Sequence, residues 1–124
     1  MRILVADDDR ATVETQALIL QRRGFVVVTC TQGKDVLPLL EKHRPDVLLL
    51  DLVMPEMTGF DVALQLKENP DLRPRLLVAL TGFDDDAARE KTARAGFDYH
   101  LAKPLKLFEL LAILATAFPD AEAI

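Results

Sequence analysis

At 124 residues, half of them hydrophobic, the chain has the size of one globular domain and enough apolar material for a real core, which argues against disorder. Its net charge of −5 disfavours nucleic acid or an anionic membrane as the main partner. Cys30 is the single cysteine and cannot form an internal disulfide, while the opening Met1 to Ala6 is too short an apolar run for a signal peptide or a membrane span; the expected setting is cytoplasmic.

Taken in chain order, Ile3 to Ala6 reads as a buried strand, with Asp7, Asp8 and Asp9 at its carboxyl end. A helix follows from about Arg10 to Arg23, with Val13, Ala17 and Leu20 at helical spacing. Gly24 stops it after two arginines that suit the negative end of the helix dipole. Phe25 to Cys30 is a valine-rich second strand, and Cys30 is expected to be a small core residue. After a turn over Thr31 to Lys34, Val36, Leu37 and Leu40 mark a second helix that ends near Arg44 and Pro45. Pro38 is tolerated there if Asp35 is the N-cap, because first-turn amides lack intrahelical partners.

The third strand, Val47 to Leu50, is an unbroken apolar run that suits burial on both faces. Asp51 follows where that strand should leave the sheet, and Pro55 and Gly59 force a loop before a helix from about Phe60 to Glu68. A fourth strand spans Arg75 to Leu80, with Thr81 and Gly82 at its end. Asp84, Asp85 and Asp86 read as capping and solvated charge opening a fourth helix, mostly alanine and polar residues and so expected to be the least firmly anchored. Gly96 closes it, Asp98 to Ala102 is a short fifth strand, and Lys103 and Pro104 stand at its end. Leu107, Leu111, Leu114 and Phe118 stripe the last helix.

Five alternations of strand and helix imply an α/β fold, a doubly wound parallel sheet with helices on both faces. The flavodoxin-like order 2-1-3-4-5 brings strands one and three together at the switch point, where ligands collect. In that order Asp7, Asp8, Asp51, Thr81 and Lys103 meet over one edge. Two carboxylates about 4 Å apart repel by roughly 4 kcal/mol at an effective dielectric near 20, so the cluster calls for positive charge. Lys103 supplies one unit, and a divalent cation supplies the rest. All-oxygen ligands select a hard ion, hence Mg²⁺, with Mn²⁺ as its substitute. A carboxylate beside Mg²⁺, a lysine and a hydroxyl has the parts for phosphoryl transfer, with Asp51 as nucleophile, Lys103 on the moving phosphoryl oxygens and Thr81 as a hydrogen-bond donor.

These motifs resemble the response-regulator receiver domains, among them the stand-alone chemotaxis regulator. The resemblance rests on Asp7 and Asp8 after strand one, Asp51 in Asp-Leu-Val-Met-Pro-Glu-Met-Thr-Gly, Thr81 before Gly82, and Lys103-Pro104. It covers essentially the whole chain, residues 1–124, as a single receiver with no output domain. It implies two-component or phosphorelay signalling, in which Asp51 accepts a phosphoryl group from a phosphohistidine on a sensor kinase or phosphotransfer protein. The chain would then be a phosphoacceptor rather than a conventional enzyme. By position Asp8, Asp51 and the backbone carbonyl of Val53 would ligate Mg²⁺, with Asp7 acting mainly through metal-bound water. Thr81 and Lys103 would sense the phosphate, and Lys103-Pro104 is where the family usually has a cis peptide bond.

At one position the chain departs from the family. Three residues before the lysine, where receivers often carry an inward-turning Tyr or Phe, stands His100, with Tyr99 beside it. A titratable ring replaces the usual aromatic switch, and it serves either partner contact or simple packing. The wording around Ala-Gly-Phe-Asp-Tyr-His-Leu-Ala-Lys-Pro resembles receivers attached to hybrid histidine kinases. Val53 and Phe83, two residues beyond Asp51 and Thr81, are apolar where receivers tune access of hydrolytic water, so self-dephosphorylation is expected to be slow.

Each feature has a blander reading: Asp7 to Asp9 as a solvated turn, Thr81 as turn chemistry, Lys103 as a snorkelling surface lysine. Asp9 is best read as the first helix's cap and stays outside the metal set. It is the coincidence at strand ends that favours a site. A haloacid-dehalogenase-type phosphatase would need an acid where Val53 stands. A flavin module would need a phosphate loop in place of three acids, and a degenerate receiver serving only for binding would not keep Asp51, Thr81 and Lys103 together. Helix four, strand five and helix five, with Phe108, Ala112 and Ala115 off the last helix's stripe, form the expected partner or dimer face, with no direct contact to nucleic acid or membrane.

Overall fold

The structure, a computed structural model, describes residues 1–82 and 84–120. Five strands, β1 (Arg2–Ala6), β2 (Val26–Cys30), β3 (Val47–Asp51), β4 (Leu76–Thr81) and β5 (Tyr99–Ala102), alternate with α1 (Arg10–Arg22), α2 (Val36–His43), α3 (Gly59–Glu68), α4 (Asp86–Ala95) and α5 (Leu107–Ala117). The sheet is wholly parallel, in the order β2-β1-β3-β4-β5. The expected class and strand order therefore hold, with element ends displaced by a residue or two.

The apolar runs have a direct cause. Alternate residues of each strand feed two separate cores, because both faces of the sheet are covered. Leu4, Leu48, Leu50 and Leu77 pack with Leu40 of α2 and Val62 and Leu66 of α3. Ile3, Val5, Leu49 and Val78 pack with Leu20 of α1 and Leu110 and Leu114 of α5. Strand β3 lies between β1 and β4 and is buried along its whole length.

The last helix adds Leu110 to its expected stripe: Leu114 and Phe118 are buried as expected, Leu110 is fully buried beside them, and Leu107 and Leu111 sit half-buried at the margin. The α2 start also differs in detail: Asp35 holds the N-cap position with helical dihedrals and no side-chain cap, because a 3-10 turn over Gly33–Asp35 feeds straight into the helix. Gly24 and Gly96 end α1 and α4 with φ of 92° and 103°, the left-handed backbone that glycine adopts without a side-chain penalty. Cys30 is half-buried against the core, and burial pushes its thiol up to about 11. Helix α4 buries Thr92 and no other of its residues, as its composition foretold. Among the described residues, no helix is long and apolar enough to cross a membrane.

Candidate functional site

The polar strand ends gather over the carboxyl edge of β1, β3 and β4. Asp7 and Asp51 are almost wholly buried there and Asp8 is exposed, and one carboxylate oxygen from each lies within 4.8 Å of the others. Adjacent parallel strands in tight register bring them together, with Ala6 opposite Leu50 and Asp51 opposite Leu80. Lys103 reaches across from the end of β5. Its Nζ stands 2.7 Å from Asp7 Oδ2 and 3.2 Å from Asp51 Oδ2. The backbone amide of Lys103 donates to the carbonyl of Thr81 at 2.8 Å, which ties the end of β5 to the end of β4. The Lys103-Pro104 peptide bond is cis, as the resemblance implied.

Local chemistry fixes each carboxylate. Asp7 Oδ1 accepts from the backbone N–H of Asp9 at 3.0 Å, turning the chain sharply after β1. Asp51 Oδ1 accepts from the backbone N–H of Val53 at 3.1 Å, which orients the carboxylate through its own loop. Beyond that loop, Thr58 and Asp61 form a reciprocal capping box that starts α3. A Thr three residues before an Asp is the sequence signal of that cap, which the reading of α3 from Phe60 does not use.

Electrostatics follow from burial. Desolvation pushes the Asp51 carboxyl up to about 6; the nearby Asp7 charge adds to this, while the Val53 amide and Lys103 oppose it. Burial works against the Lys103 ammonium, yet the two carboxylates outweigh it and hold its pKa above the usual lysine value. Besides that ammonium, the buried Asp7 Oδ2 has no hydrogen-bond donor among the described residues. One ammonium against three carboxylates leaves the cluster negative, and an all-oxygen donor set with a buried, under-satisfied oxygen fits a hard divalent cation such as Mg²⁺.

The remaining expected residues divide. Thr81 is fully buried at the end of β4, with its neighbour Gly82 exposed. Val53 is 56 % exposed, and Phe83 lies outside the described residues. His100 is turned inward: its Nδ1 lies 3.0 Å from Thr92 Oγ1 of α4, and its Nε2 lies 3.7 Å from Asp84 Oδ1. Asp84 also pairs with Arg89, so it is a structural link rather than plain solvated charge, and Asp85 is the residue that caps α4. Asp9 holds the N-cap position of α1 and accepts the Thr12 hydroxyl. Tyr99 is partly exposed, Pro104 exposed, and Phe108 is 71 % exposed on α5.

The family model of the response regulator receiver domain matches residues 3–115. The chain belongs to that family. Among relatives of this receiver, the response regulator MprA of Mycolicibacterium vanbaalenii is 39 % identical over 124 residues, covering 97 % of this chain and 53 % of that protein. The receiver thus spans about half the length of that regulator. An uncharacterised 14.6 kDa protein of Leptolyngbya boryana is 34 % identical over 122 residues, covering 96 % of this chain and 93 % of its own. Among solved structures, the chemotaxis protein CheY4 of Vibrio cholerae superposes with a TM-score of 0.85 at 26 % identity, covering 94 % of this chain and 98 % of that one.

Proposed function

We propose that this receiver accepts a phosphoryl group on Asp51 from a phosphohistidine donor, a sensor kinase or a histidine phosphotransfer protein, and that the phosphorylated form contacts a protein partner. The observation that carries this reading is the bridge made by Lys103 Nζ between Asp7 and Asp51, with Asp8 beside them. Asp8, Asp51 and the Val53 carbonyl would hold Mg²⁺, and Asp7 would act on it through water. When bound, the cation offsets the cluster's negative charge and the charge of an incoming phosphoryl group.

The chain's own residues do the rest. An Asp51 carboxylate oxygen attacks phosphorus, and the donor's P–N bond breaks with its electron pair on the ring nitrogen, which takes up a proton. The Val53 amide holds one Asp51 oxygen in place during attack. Lys103, already seated between the two buried carboxylates, is placed to follow the charge as it moves onto the phosphoryl oxygens. Thr81 would donate to the phosphoryl group once it is attached. The receiver is thus a stoichiometric acceptor rather than a turnover catalyst. Val53, apolar and exposed at the site, offers no hydrogen bond to a hydrolytic water, which favours a long-lived acyl phosphate. The added charge of about −1.5 to −2 biases the thinly anchored α4 against β5, and the α4–β5–α5 surface with exposed Tyr99 and Phe108 meets the partner.

Intact mass after incubation with acetyl phosphate and Mg²⁺ tests the acceptor. Wild type should gain one phosphoryl group that hydroxylamine removes, and Asp51→Asn should gain none. An adduct of equal yield in the variant would sink the assignment of Asp51.

A further inference from the structure

We infer that Gly33, outside every motif that marks the site, is a positioning residue for the Asp51 loop. The inference rests on the phosphoacceptor reading and extends it to a second loop. Gly33 is buried and opens the 3-10 turn between β2 and α2. A Cβ built on it would lie 2.3 Å from the backbone oxygen of Met57 and 3.1 Å from the Met57 carbonyl carbon. No side chain fits there unless the backbone at Met57 moves. Met57 belongs to the loop of residues 52–58, which begins at Asp51 and carries the Val53 amide that orients its carboxylate.

That loop has little freedom to absorb a push. At its far end Gly59 packs as closely on the acceptor itself: a Cβ there would lie 2.5 Å from the Asp51 backbone oxygen and 2.9 Å from Leu52 Cα. The Gly59 amide donates to the Leu52 carbonyl at 3.1 Å and the Met57 amide to the Pro55 carbonyl at 2.7 Å. Between them Glu56 is held at a φ of 66°, a left-handed backbone unusual for a side-chain-bearing residue. The loop is therefore gripped between Gly33 on one side and the Asp51 backbone on the other. The contact also borders the acidic cluster: Gly33, Met57, Glu56 and Asp8 line one cleft of about 310 Å³. Backbone pressed on backbone sets a loop more rigidly than side-chain packing does, and misplacement of about 1 Å at a reacting group costs roughly 10²-fold in rate.

The test compares Gly33→Ala with Gly24→Ala, whose φ of 92° strains any side chain but whose Cβ would meet nothing within 4 Å. Both variants should melt below wild type. Gly33→Ala should also bind Mg²⁺ about tenfold more weakly by calorimetry and shift the Asp51–Thr58 amide resonances. It should likewise accept phosphoryl from acetyl phosphate more slowly at saturating donor and metal. Gly24→Ala should keep wild-type Mg²⁺ affinity and rate. If Gly33→Ala does not fold, Met57→Gly keeps the backbone contact but frees the loop's own backbone at that point, and should weaken Mg²⁺ in the same sense. Wild-type Mg²⁺ affinity and rate in Gly33→Ala, or wild-type affinity in Met57→Gly, overturns the inference. A wild type that binds Mg²⁺ yet takes no phosphoryl group defeats the acceptor reading alone, because the affinity comparison still reads the loop.

Discussion

Strand β3 with its loop and helix α4 are held in opposite ways. Every residue of β3 is buried between two neighbouring strands and two cores, and its loop is gripped by backbone contacts at both ends. Helix α4 buries Thr92 alone and holds its place through polar and long-chain contacts: Thr92 on His100, Arg89 on Asp84 and on the His100 carbonyl, Lys91 over the Phe60 ring, and Lys67 on the Arg94 carbonyl. A group that must attack in line needs a fixed position. A surface that must respond to a new charge needs two arrangements close in free energy. On the proposed reading, the site that would receive and the surface that would answer are thus anchored in opposite ways.

The sharpest break falls on the rigid side. Asp51→Asn should abolish phosphoryl acceptance outright, read by intact mass, while the sheet around it stays folded. Next comes Lys103→Ala, which leaves Asp51 in place but removes the cation touching it; acceptance should slow about 10²–10³-fold, the usual loss of one preorganised donor. A rate within about threefold of wild type would mean that the ammonium serves the fold and not the transfer.

The same variant of Asp51 reads the energetic cost of a buried acceptor. Its folded pKa is about 6 against an ordinary 3.8, so between those values the folded protein binds more protons than the unfolded chain. The Asp51 contribution to stability must therefore fall as pH rises from about 4 through 6, and its loss is complete above 6. Asp51→Asn removes that loss, and in metal-free buffer at pH 7 it should be more stable by about 1–2 kcal/mol, with part of the gain offset by the lost Lys103 contact. At pH 3.5 the advantage should vanish. In wild type, Mg²⁺ at about ten times its dissociation constant should restore roughly 1.4 kcal/mol, and chelation should remove it.

How far the sequence revealed these two regions follows from how each is built. Strand β3 was legible because Val47 to Leu50 is an unbroken apolar run, and the gathering of Asp7, Asp8, Asp51 and Lys103 followed once strand order was inferred from alternation. Thin anchoring of α4 was legible from its alanines and charges. The Gly33 contact was not, because it joins turns of different strands and leaves no periodic trace. The same holds for the pairing of Thr92 with His100: a histidine's neighbours across an α–β crossover are set by tertiary packing. The stripe of α5 lacks Leu110 in the sequence reading because Leu110 and Leu111 are adjacent and equally apolar, so composition does not say which of the two faces the sheet more fully.

The smallest expected effect lies on the compliant side. Thr92→Val keeps the shape of the buried side chain but removes the hydroxyl that meets His100 Nδ1 and donates to the Arg89 carbonyl. Loss of such a bond costs about 1 kcal/mol, which in a segment that opens locally speeds amide exchange roughly fivefold. The increase should be confined to α4 and the start of β5. Amides of β3, buried between two strands and two cores, should quicken only as far as overall stability falls, and phosphoryl acceptance from acetyl phosphate should stay near the wild-type rate. If α4 and β3 quicken together, then α4 is no more loosely attached than the strand that carries Asp51, and the division between a fixed acceptor and a yielding surface fails. If α4 alone quickens, the helix is held by a few polar contacts that a change in charge at the neighbouring strand ends can outweigh.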